Sequence, residues 1–366
     1  MSVIATAALL RSPDAPFELT PVELDGLQPD EILVDIEACG ICHTDIGSRH
    51  IVPTPSVLGH EGAGRVEAVG KAVTDLKPGD RVILSYGHCG HCPECESGQA
   101  FQCERGVEAN FTGKRLDRPS PISISGEGRV SAAFFQQSSF ATKAVALARS
   151  AVKVDTDLPA HALAPLGCGV LTGAGSVINT LGVRPGEPLG VWGAGAVGLS
   201  AILAGILVGA NPLIAIDIVP SRLDLARELG ATHTIDAREG DVASRLRDIA
   251  PRGLRHALET TSNEHALNDA LASLGMGGTC GIVNVPRGGE AYPLALAPVF
   301  FTASALKGVF FGSSLPRTLL PRLIGLHEAG RFPFDRLIRT YPFAEINQAM
   351  ADSENGSVIK PVLVMK

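Results

Sequence analysis

The clearest indication of the fold is the segment Leu189-Gly-Val-Trp-Gly-Ala-Gly-Ala-Val-Gly198. A short apolar strand ends in a turn of the pattern G-x-G-x-x-G, and an apolar helical segment runs on to residue 208. The next apolar strand, residues 213–216, ends at Asp217, which lies 19 residues beyond Gly198. A glycine turn between a strand and a helix, followed by an acidic residue at this distance, predicts a dinucleotide-binding unit.

Each glycine of this turn has a separate task in such a unit. Gly193 allows the tight turn, Gly195 lets the backbone approach a pyrophosphate, and Gly198 lets the helix and the strand pack closely. Val197 lies at the start of the helix, where free N–H groups and the helix dipole favour an anion. The alternative is an ordinary strand–helix turn with incidental glycines.

Asp217 and Arg222 predict which dinucleotide is bound. The carboxylate of Asp217 would accept hydrogen bonds from the adenosine ribose hydroxyls and would repel a 2′-phosphate. Arg222 follows closely in the sequence and would weaken that repulsion. The sequence therefore predicts NAD rather than NADP as the cofactor.

The rest of the chain extends this organisation in both directions. Apolar strands alternate with helical stretches between residues 189 and 282, which predicts a parallel sheet. Residues 1–150 contain short strands and turns, and these predict an antiparallel barrel or sandwich. A length of 366 residues agrees with two domains.

Composition limits the classes of partner. The net charge is −7 and no run of Lys or Arg stands out, which argues against nucleic acid and anionic membranes. The apolar stretch at residues 199–210 is shorter than the roughly 20 residues that cross a bilayer, and the N-terminus lacks the basic start of a signal peptide. We therefore expect a cytoplasmic protein without a membrane partner.

Four of the eight cysteines form a local cluster, Cys89-x2-Cys92-x2-Cys95-x7-Cys103. Soft sulfur ligands in a tetrahedral set suit zinc, and four protein ligands leave no open position, so the cluster predicts a structural zinc. An iron–sulfur cluster and a pair of disulfides are the alternatives. Disulfides are disfavoured in a cytosolic chain.

Three further residues of metal-binding type lie apart in the sequence. Cys42, His60 and Cys168 each have a glycine close by, and they are separated by 18 and 108 residues. A lone His or Cys is more often structural than a ligand. Spacing alone cannot join these three residues into one site.

The sequence around these residues resembles the zinc-dependent medium-chain alcohol dehydrogenases. The resemblance spans nearly the whole chain, and besides the four-cysteine segment and the glycine turn it rests on Cys42-His-Thr-Asp45, Gly59-His-Glu-x2-Gly64-x5-Gly70-x2-Val73 and Gly167-Cys-Gly-x-x-Thr-Gly173. The segments Phe134-Phe-Gln-Gln-Ser-Ser-Phe-Ala-Thr142 and Val152-Lys-Val154 are similar to the aryl-alcohol (benzyl-alcohol) branch.

The resemblance implies an α/β fold with two domains. A GroES-like β-barrel catalytic domain would comprise residues 1–165 completed by 310–366, and a Rossmann cofactor domain would comprise residues 166–309. Cys42, His60 and Cys168 would bind a catalytic zinc, so the chain would hold two zinc ions. A homo-oligomer, either a dimer or a tetramer, is expected on the same basis.

The resemblance also implies roles around the zinc and the cofactor. Asp45 and Glu61 would lie close to the zinc or hold its histidine ligand. Thr172 would lie near the nicotinamide, and His43 and Lys360 would contact the pyrophosphate.

Proton transfer and substrate binding are implied for a further group of residues. Thr44 would pass the alcohol proton to the nicotinamide ribose, but the histidine that many relatives carry three residues later is Gly47 here. The resemblance implies a substrate pocket lined by Thr44, Ser85, Phe134, Phe135 and Val285. The alternative for the two phenylalanines is a place in the core.

The expected activity is zinc-dependent, reversible oxidation of a benzyl-type primary alcohol to its aldehyde, with hydride transfer to NAD. Aromatic walls suit a flat apolar alcohol of this kind. A terpene-alcohol or general alcohol dehydrogenase and a glutathione-adduct dehydrogenase are alternatives among enzymes. A cofactor-binding protein without catalysis is the alternative of another class, and it predicts missing metal ligands.

Overall fold

The computed structural model describes residues 3–284 and 291–365. It divides into two compact units, one of residues 1–168, 315–324 and 335–366, and one of residues 169–314 and 325–334. Residues 310–314 and 325–334 thus group with the second unit and residues 166–168 with the first, whereas the sequence predicts a first domain of 1–165 with 310–366 and a second of 166–309. The functional domain boundaries remain a prediction.

The strands of the described residues, β1 to β18 in chain order, are Val3–Leu10, Glu18–Leu24, Glu31–Gly40, Ser56–Val57, Glu61–Val69, Arg81–Leu84, Ile122–Ile124, Gly128–Arg129, Lys143–Leu147, Ala151–Lys153, Leu189–Trp192, Leu213–Asp217, His233–Asp236, Leu254–Glu259, Leu274–Ile282, Ala305–Gly308, Ile338–Pro342 and Lys360–Val364. The α-helices, α1 to α12, are His43–Ser48, Pro93–Glu96, Gly106–Phe111, Ala160–Leu163, Gly169–Gly175, Ala196–Val208, Pro220–Glu228, Val242–Ile249, Glu264–Ala272, Leu296–Phe301, Pro316–Glu328 and Ile346–Glu354.

The first unit is built from two mainly antiparallel sheets. One has the strand order β4-β1-β2-β7-β8, and the other has the order β10-β6-β5-β3-β18-β17, with β9 also paired to β3. The antiparallel pairing of β3 with β5 and with β18 places the chain's last strand beside residues 38–40. This pairing brings the C-terminal segment next to the residues that precede Cys42.

The second unit contains a six-stranded sheet in the order β13-β12-β11-β14-β15-β16. All five of its strand pairs are parallel, which confirms the predicted parallel sheet. Its central strands β11 and β12 are buried at every position, as expected for continuous apolar strands covered on both faces. The predicted helix after the glycine turn is α6.

No single helix among the described residues has both the length and the apolar character needed to cross a membrane. One bent pair, Ala160–Gly167 with Gly169–Thr180, passes on length and composition alone.

Candidate metal centres and cofactor turn

Four side chains from distant segments meet in the first unit. The ligand atoms of Cys42, His60, Glu61 and Cys168 all lie within 4.8 Å of one another. Cys42 precedes α1 and Cys168 follows a short 3-10 turn. His60 directly precedes β5, and Glu61 is the first residue of that strand. The fold thus brings together the three residues that sequence spacing could not join, and it adds a carboxylate to them.

His60 is oriented by Asp45, which is completely buried. Nδ1 of His60 lies 2.8 Å from Oδ1 of Asp45, and the same carboxylate accepts hydrogen bonds from the backbone N–H groups of Cys42 and Gly59. Burial opposes the charged imidazole, but the Asp45 carboxylate raises the pKa of His60 to about 10. Nε2 of His60 is buried without a hydrogen-bond partner of normal geometry among the described residues.

The two thiols of this cluster interact directly. A hydrogen bond with Cys168 holds the pKa of Cys42 well below its usual value, and the same contact raises the pKa of Cys168. A thiolate is the form of cysteine that binds a metal ion, and metal binding displaces the protons that such a cluster shares.

Glu61 forms a buried ion pair with Lys360. The ammonium nitrogen donates to both carboxylate oxygens at 2.8 Å and to the carbonyl oxygen of Ile41 at 3.0 Å. Burial raises the pKa of Glu61 although Lys360 opposes that shift. In this structure the Lys360 ammonium group donates its hydrogen bonds to Glu61 and to Ile41. The expected contact between Lys360 and a pyrophosphate remains a prediction.

The residues of this cluster fit a zinc ion. Two cysteine sulfurs and an imidazole nitrogen are ligands that zinc prefers, and the unsatisfied Nε2 of His60 points among them. Three such ligands leave one coordination position open, which a carboxylate or a substrate oxygen can take.

The four-cysteine segment forms a second cluster. The sulfurs of Cys89, Cys92, Cys95 and Cys103 lie within 4.8 Å of one another, and the pairs 89–95 and 92–103 are 3.9 Å apart. A tetrahedral zinc with bonds of about 2.3 Å places its sulfurs roughly 3.8 Å apart, so this cluster fits one ion. The thiols are free, which excludes the disulfide alternative. In an iron–sulfur cluster the four thiolates are divided among two or four iron atoms, and sulfurs that all lie this close together do not favour that arrangement.

The glycine turn of the second unit has the geometry that the sequence predicts. Gly193 has a φ of +91°, and a Cβ on Gly198 would lie 1.7 Å from the carbonyl oxygen of Gly193. A Cβ on Gly195 would meet nothing within 4 Å, so the backbone there borders open space. Asp217 ends β12 and its carboxylate accepts hydrogen bonds from the N–H groups of Ile218 and Val219. This cradle fits a dinucleotide pyrophosphate and ribose.

Comparison with known protein families identifies the family of this chain. The family model described as alcohol dehydrogenase GroES-like domain matches residues 28–156, and the model described as zinc-binding dehydrogenase matches residues 196–326. The chain belongs to the zinc-dependent medium-chain alcohol dehydrogenases. The fold is thus a GroES-like domain combined with a Rossmann-type parallel sheet.

Three relatives of this alcohol dehydrogenase match over almost their whole length. A geraniol dehydrogenase of Castellaniella defragrans is 43% identical over 99% of the chain and 98% of its own length. The crystal structure of benzyl alcohol dehydrogenase from Acinetobacter calcoaceticus is 41% identical, with a TM-score of 0.96 and full coverage of both chains. An alcohol dehydrogenase zinc-binding domain protein from Burkholderia ambifaria is 44% identical, with a TM-score of 0.97 and full coverage.

Two of the predicted pocket residues of the dehydrogenase, Phe134 and Phe135, lie next to His60. Phe134 and Phe135 are both buried, and their ring centroids lie 5.5 and 4.3 Å from that of His60, with Phe135 stacked on the imidazole. Ser85 is buried and donates to the carbonyl oxygen of Gly167 at 2.6 Å. Val285 lies outside the described residues. Whether these residues line a substrate pocket remains a prediction.

The remaining predicted residues are divided between the two units of the dehydrogenase. His43 and Thr44 lie in α1 of the first unit, where a Cβ on Gly47 would meet nothing within 4 Å. Thr172 lies in α5 of the second unit, and Arg222 lies in α7 of the same unit. Their cofactor contacts remain predictions.

Two contacts at the site are not predicted from the sequence. Lys360 forms an ion pair with Glu61, which is 299 residues away, and Gln137 donates a hydrogen bond to the backbone carbonyl oxygen of His60. Gln137 lies in the polar run Gln-Gln-Ser-Ser between Phe135 and Phe140, and nothing in that run indicates which backbone groups it contacts.

Proposed function

We propose that this dehydrogenase oxidises an aromatic, benzyl-type primary alcohol to its aldehyde and transfers the hydride to NAD, reversibly. The observation that carries the substrate class is the pair of phenylalanine rings against His60, with Phe135 stacked at 4.3 Å. Aromatic side chains around a metal ligand favour a flat apolar alcohol. The relative from Acinetobacter calcoaceticus, named a benzyl alcohol dehydrogenase, supports the same class.

Cys42, His60 and Cys168 would hold the catalytic zinc, and Glu61 lies close enough to serve as a further ligand. When bound, zinc supplies a Lewis acid that lowers the pKa of the alcohol. Asp45 keeps Nδ1 of His60 engaged and so directs Nε2 toward the cluster. Thr44 would hold the alcohol proton at its hydroxyl, and the phenylalanine rings would keep water away from the reacting carbon.

The four cysteines of residues 89–103 would hold a second, structural zinc. Their neighbours provide only a small apolar cluster, with Ala109 and Leu116 buried against the sulfurs. A segment with so little apolar content gains its stability from the metal. Two zinc ions per chain are therefore part of the proposal.

The preference for NAD rests on Asp217. Its carboxylate ends β12 beside the turn that carries Gly193 and Gly195. A negative charge at this position favours two ribose hydroxyls and disfavours a 2′-phosphate. Gly195 leaves room for the pyrophosphate next to the N-terminus of α6.

One experiment tests substrate and cofactor together. Initial rates with benzyl alcohol, geraniol and ethanol are measured with NAD and with NADP, and binding of the reduced cofactor is followed by fluorescence of Trp192, the single tryptophan. We expect the highest kcat/KM with benzyl alcohol and NAD. A clear preference for NADP would contradict the role of Asp217, and absence of turnover with all three alcohols would overturn the proposed activity.

Geraniol is included because a second substrate class has specific support. The relative from Castellaniella defragrans that is 43% identical over nearly the whole chain is named a geraniol dehydrogenase. An allylic terpene alcohol presents a planar double bond next to its carbinol carbon, which aromatic rings also accommodate. A higher kcat/KM for geraniol than for benzyl alcohol would keep the mechanism and replace the substrate class.

A homo-oligomer is part of the same proposal. Strand β16 is the edge of the parallel sheet and is exposed at all four positions. The neighbouring helix α10 exposes Phe300 by 78% and Phe301 by 76%, an apolar surface that an isolated chain would leave in water. We expect light scattering to give a mass of at least two chains, and a mass of one chain would contradict this expectation.

A further inference from the structure

The side-chain amide of Gln137 connects its own turn to two other backbone segments around the cluster of candidate metal ligands. Its Nε2 donates to the carbonyl oxygens of His60 at 2.9 Å and Ser85 at 3.1 Å. Its Oε1 accepts from the N–H of Gly62 at 3.1 Å and from the hydroxyl of Ser139 at 2.9 Å. The amide is buried and makes all four of the hydrogen bonds that a glutamine side chain can make.

Ser85 extends this connection to another candidate ligand. Its carbonyl oxygen accepts from Gln137, and its hydroxyl donates to the carbonyl oxygen of Gly167 at 2.6 Å. Gly167 directly precedes Cys168, and a Cβ at that glycine would lie 2.3 Å from the carbonyl oxygen of Leu84. Hydrogen bonds thus lead from the backbone of His60 through Gln137 and Ser85 to the residue before Cys168.

The turn that carries Gln137 has an uncommon backbone conformation. Phe135, Gln136 and Ser138 have φ values of 52°, 55° and 49°, which side-chain-bearing residues rarely adopt. Such conformations persist only where surrounding contacts determine them, and they cluster at functional sites. The hydroxyl of Ser138 donates to the carbonyl oxygen of Val57 and accepts from the N–H of Phe134, which holds the turn closed.

We infer that Gln137 and Ser85 form a brace that sets the spacing between His60 and Cys168 for a bound metal ion. Both are positioning residues, since neither offers a ligand atom to the cluster. The inference rests on the proposed function, because it requires a metal at these ligands. The two ligands lie 108 residues apart in sequence, so their spacing depends on contacts across the fold such as this one.

Gln136 provides a matched control in the same turn. It is as buried as Gln137, and its Nε2 donates to the carbonyl oxygens of Ala109 and Lys114 while its Oε1 accepts from the N–H of Leu116. These partners belong to the region of the four-cysteine segment. Replacing either glutamine by leucine removes a similar number of buried hydrogen bonds, but only the change at residue 137 affects the brace.

The test compares Gln137→Leu, Gln136→Leu and wild type as purified metal-loaded proteins. Each is exposed to a chelator and iodoacetamide, and alkylation of individual cysteines is followed by peptide mass spectrometry, because a metal-bound thiolate is protected from alkylation. We expect Gln137→Leu to raise the rate of alkylation of Cys42 by about tenfold or more, because losing a partner that orients metal ligands typically costs about 10–100-fold in metal affinity and so releases the thiolate more often. Gln136→Leu should leave the rate at Cys42 close to that of wild type, because Gln136 makes no hydrogen bond to the segments that carry the candidate ligands.

Equal rates at Cys42 in the two variants would overturn the brace. Where Gln137→Leu is not recovered as a folded protein, Ser85→Ala replaces it, since it removes only the hydroxyl that holds Gly167. This variant should raise the alkylation rate of Cys168 above that of the Gln136→Leu control, and an unchanged rate would again overturn the inference.

Wild type separates failure of the brace from failure of the proposed function. Alkylation of Cys42 in metal-loaded wild type at the same rate as in metal-free wild type would show that no metal is held there, and both proposals would fall. Protection of Cys42 without turnover of any alcohol would overturn the proposed activity alone, and the comparison of variants would still decide the brace.

Discussion

Replacing Cys42 by alanine is expected to lower kcat/KM for alcohol oxidation by about 1000-fold or more. The change removes one of three candidate ligands, whose atoms lie within 4.8 Å of one another. A bound metal stabilises the transition-state charge by several kcal/mol, and about 4 kcal/mol corresponds to about 1000-fold in rate. Steady-state rates together with metal analysis measure the effect, and the variant should retain one metal ion per chain at the four-cysteine segment.

Cys280→Ala is the matched control for this prediction. Cys280 is likewise a free cysteine and is completely buried, but it lies in β15 of the second unit and belongs to neither cysteine cluster. The control should keep two metal ions and nearly full activity. A Cys42→Ala variant with the same rate and the same metal content as the control would contradict the assignment of Cys42.

Replacing Lys360 by methionine is expected to lower the free energy of unfolding by about 3–5 kcal/mol. The side chains of Lys360 and Glu61 are only 3% and 0% exposed, so the change leaves a carboxylate buried without its cation. Breaking a buried ion pair on one side costs about this much because the remaining charge has lost both water and partner. Urea denaturation of variant and wild type at equal metal content measures the effect.

Two comparisons make this prediction specific. Lys143→Met removes the cation of the more exposed pair with Glu67, and should cost at most about 1 kcal/mol. Adding Glu61→Gln to Lys360→Met removes the stranded charge and should recover part of the loss. A loss below about 1 kcal/mol for Lys360→Met would contradict the buried pair.

The pH dependence of the Lys360→Met variant follows from the pKa of Glu61. Burial raises this pKa in the folded protein, and loss of the lysine raises it further. A group with a raised pKa in the folded state favours folding while it is protonated, and this contribution is lost as the pH rises through that pKa. The destabilisation should therefore be smallest at acidic pH and grow toward neutral pH.

Local patterns in the sequence were sufficient for much of the fold. The run from β11 through the glycine turn into α6 was predicted because each residue there interacts with near neighbours. The four cysteines at residues 89–103 form one cluster for the same reason. The spacing of Gly198 and Asp217 also indicated the dinucleotide unit, since one strand and one helix connect them.

The cluster of candidate ligands around Cys42 could not be predicted from local patterns in the sequence. Cys42, His60 and Cys168 could be joined only through resemblance to a family, because no short-range pattern relates residues so far apart. The partner of Lys360 was missed since β18 pairs with β3 across more than 300 residues of chain, and burial of a lysine is uncommon enough that exposure is the default expectation. The role of Gln137 was not predicted because its hydrogen-bond partners are backbone groups of other segments, and the sequence does not indicate which backbone groups a side chain contacts.

The contrast between a local and a dispersed metal cluster has a consequence for the order of assembly during synthesis. The four cysteines span fifteen residues, so they can capture an ion as soon as that short segment has left the ribosome, with little loss of chain entropy. The other cluster cannot be completed until Cys168 has emerged, and its Glu61 gains a counter-ion only when Lys360, near the end of the chain, has been made. If both clusters bind zinc as proposed, the local site is therefore complete on the nascent chain well before the dispersed site can form.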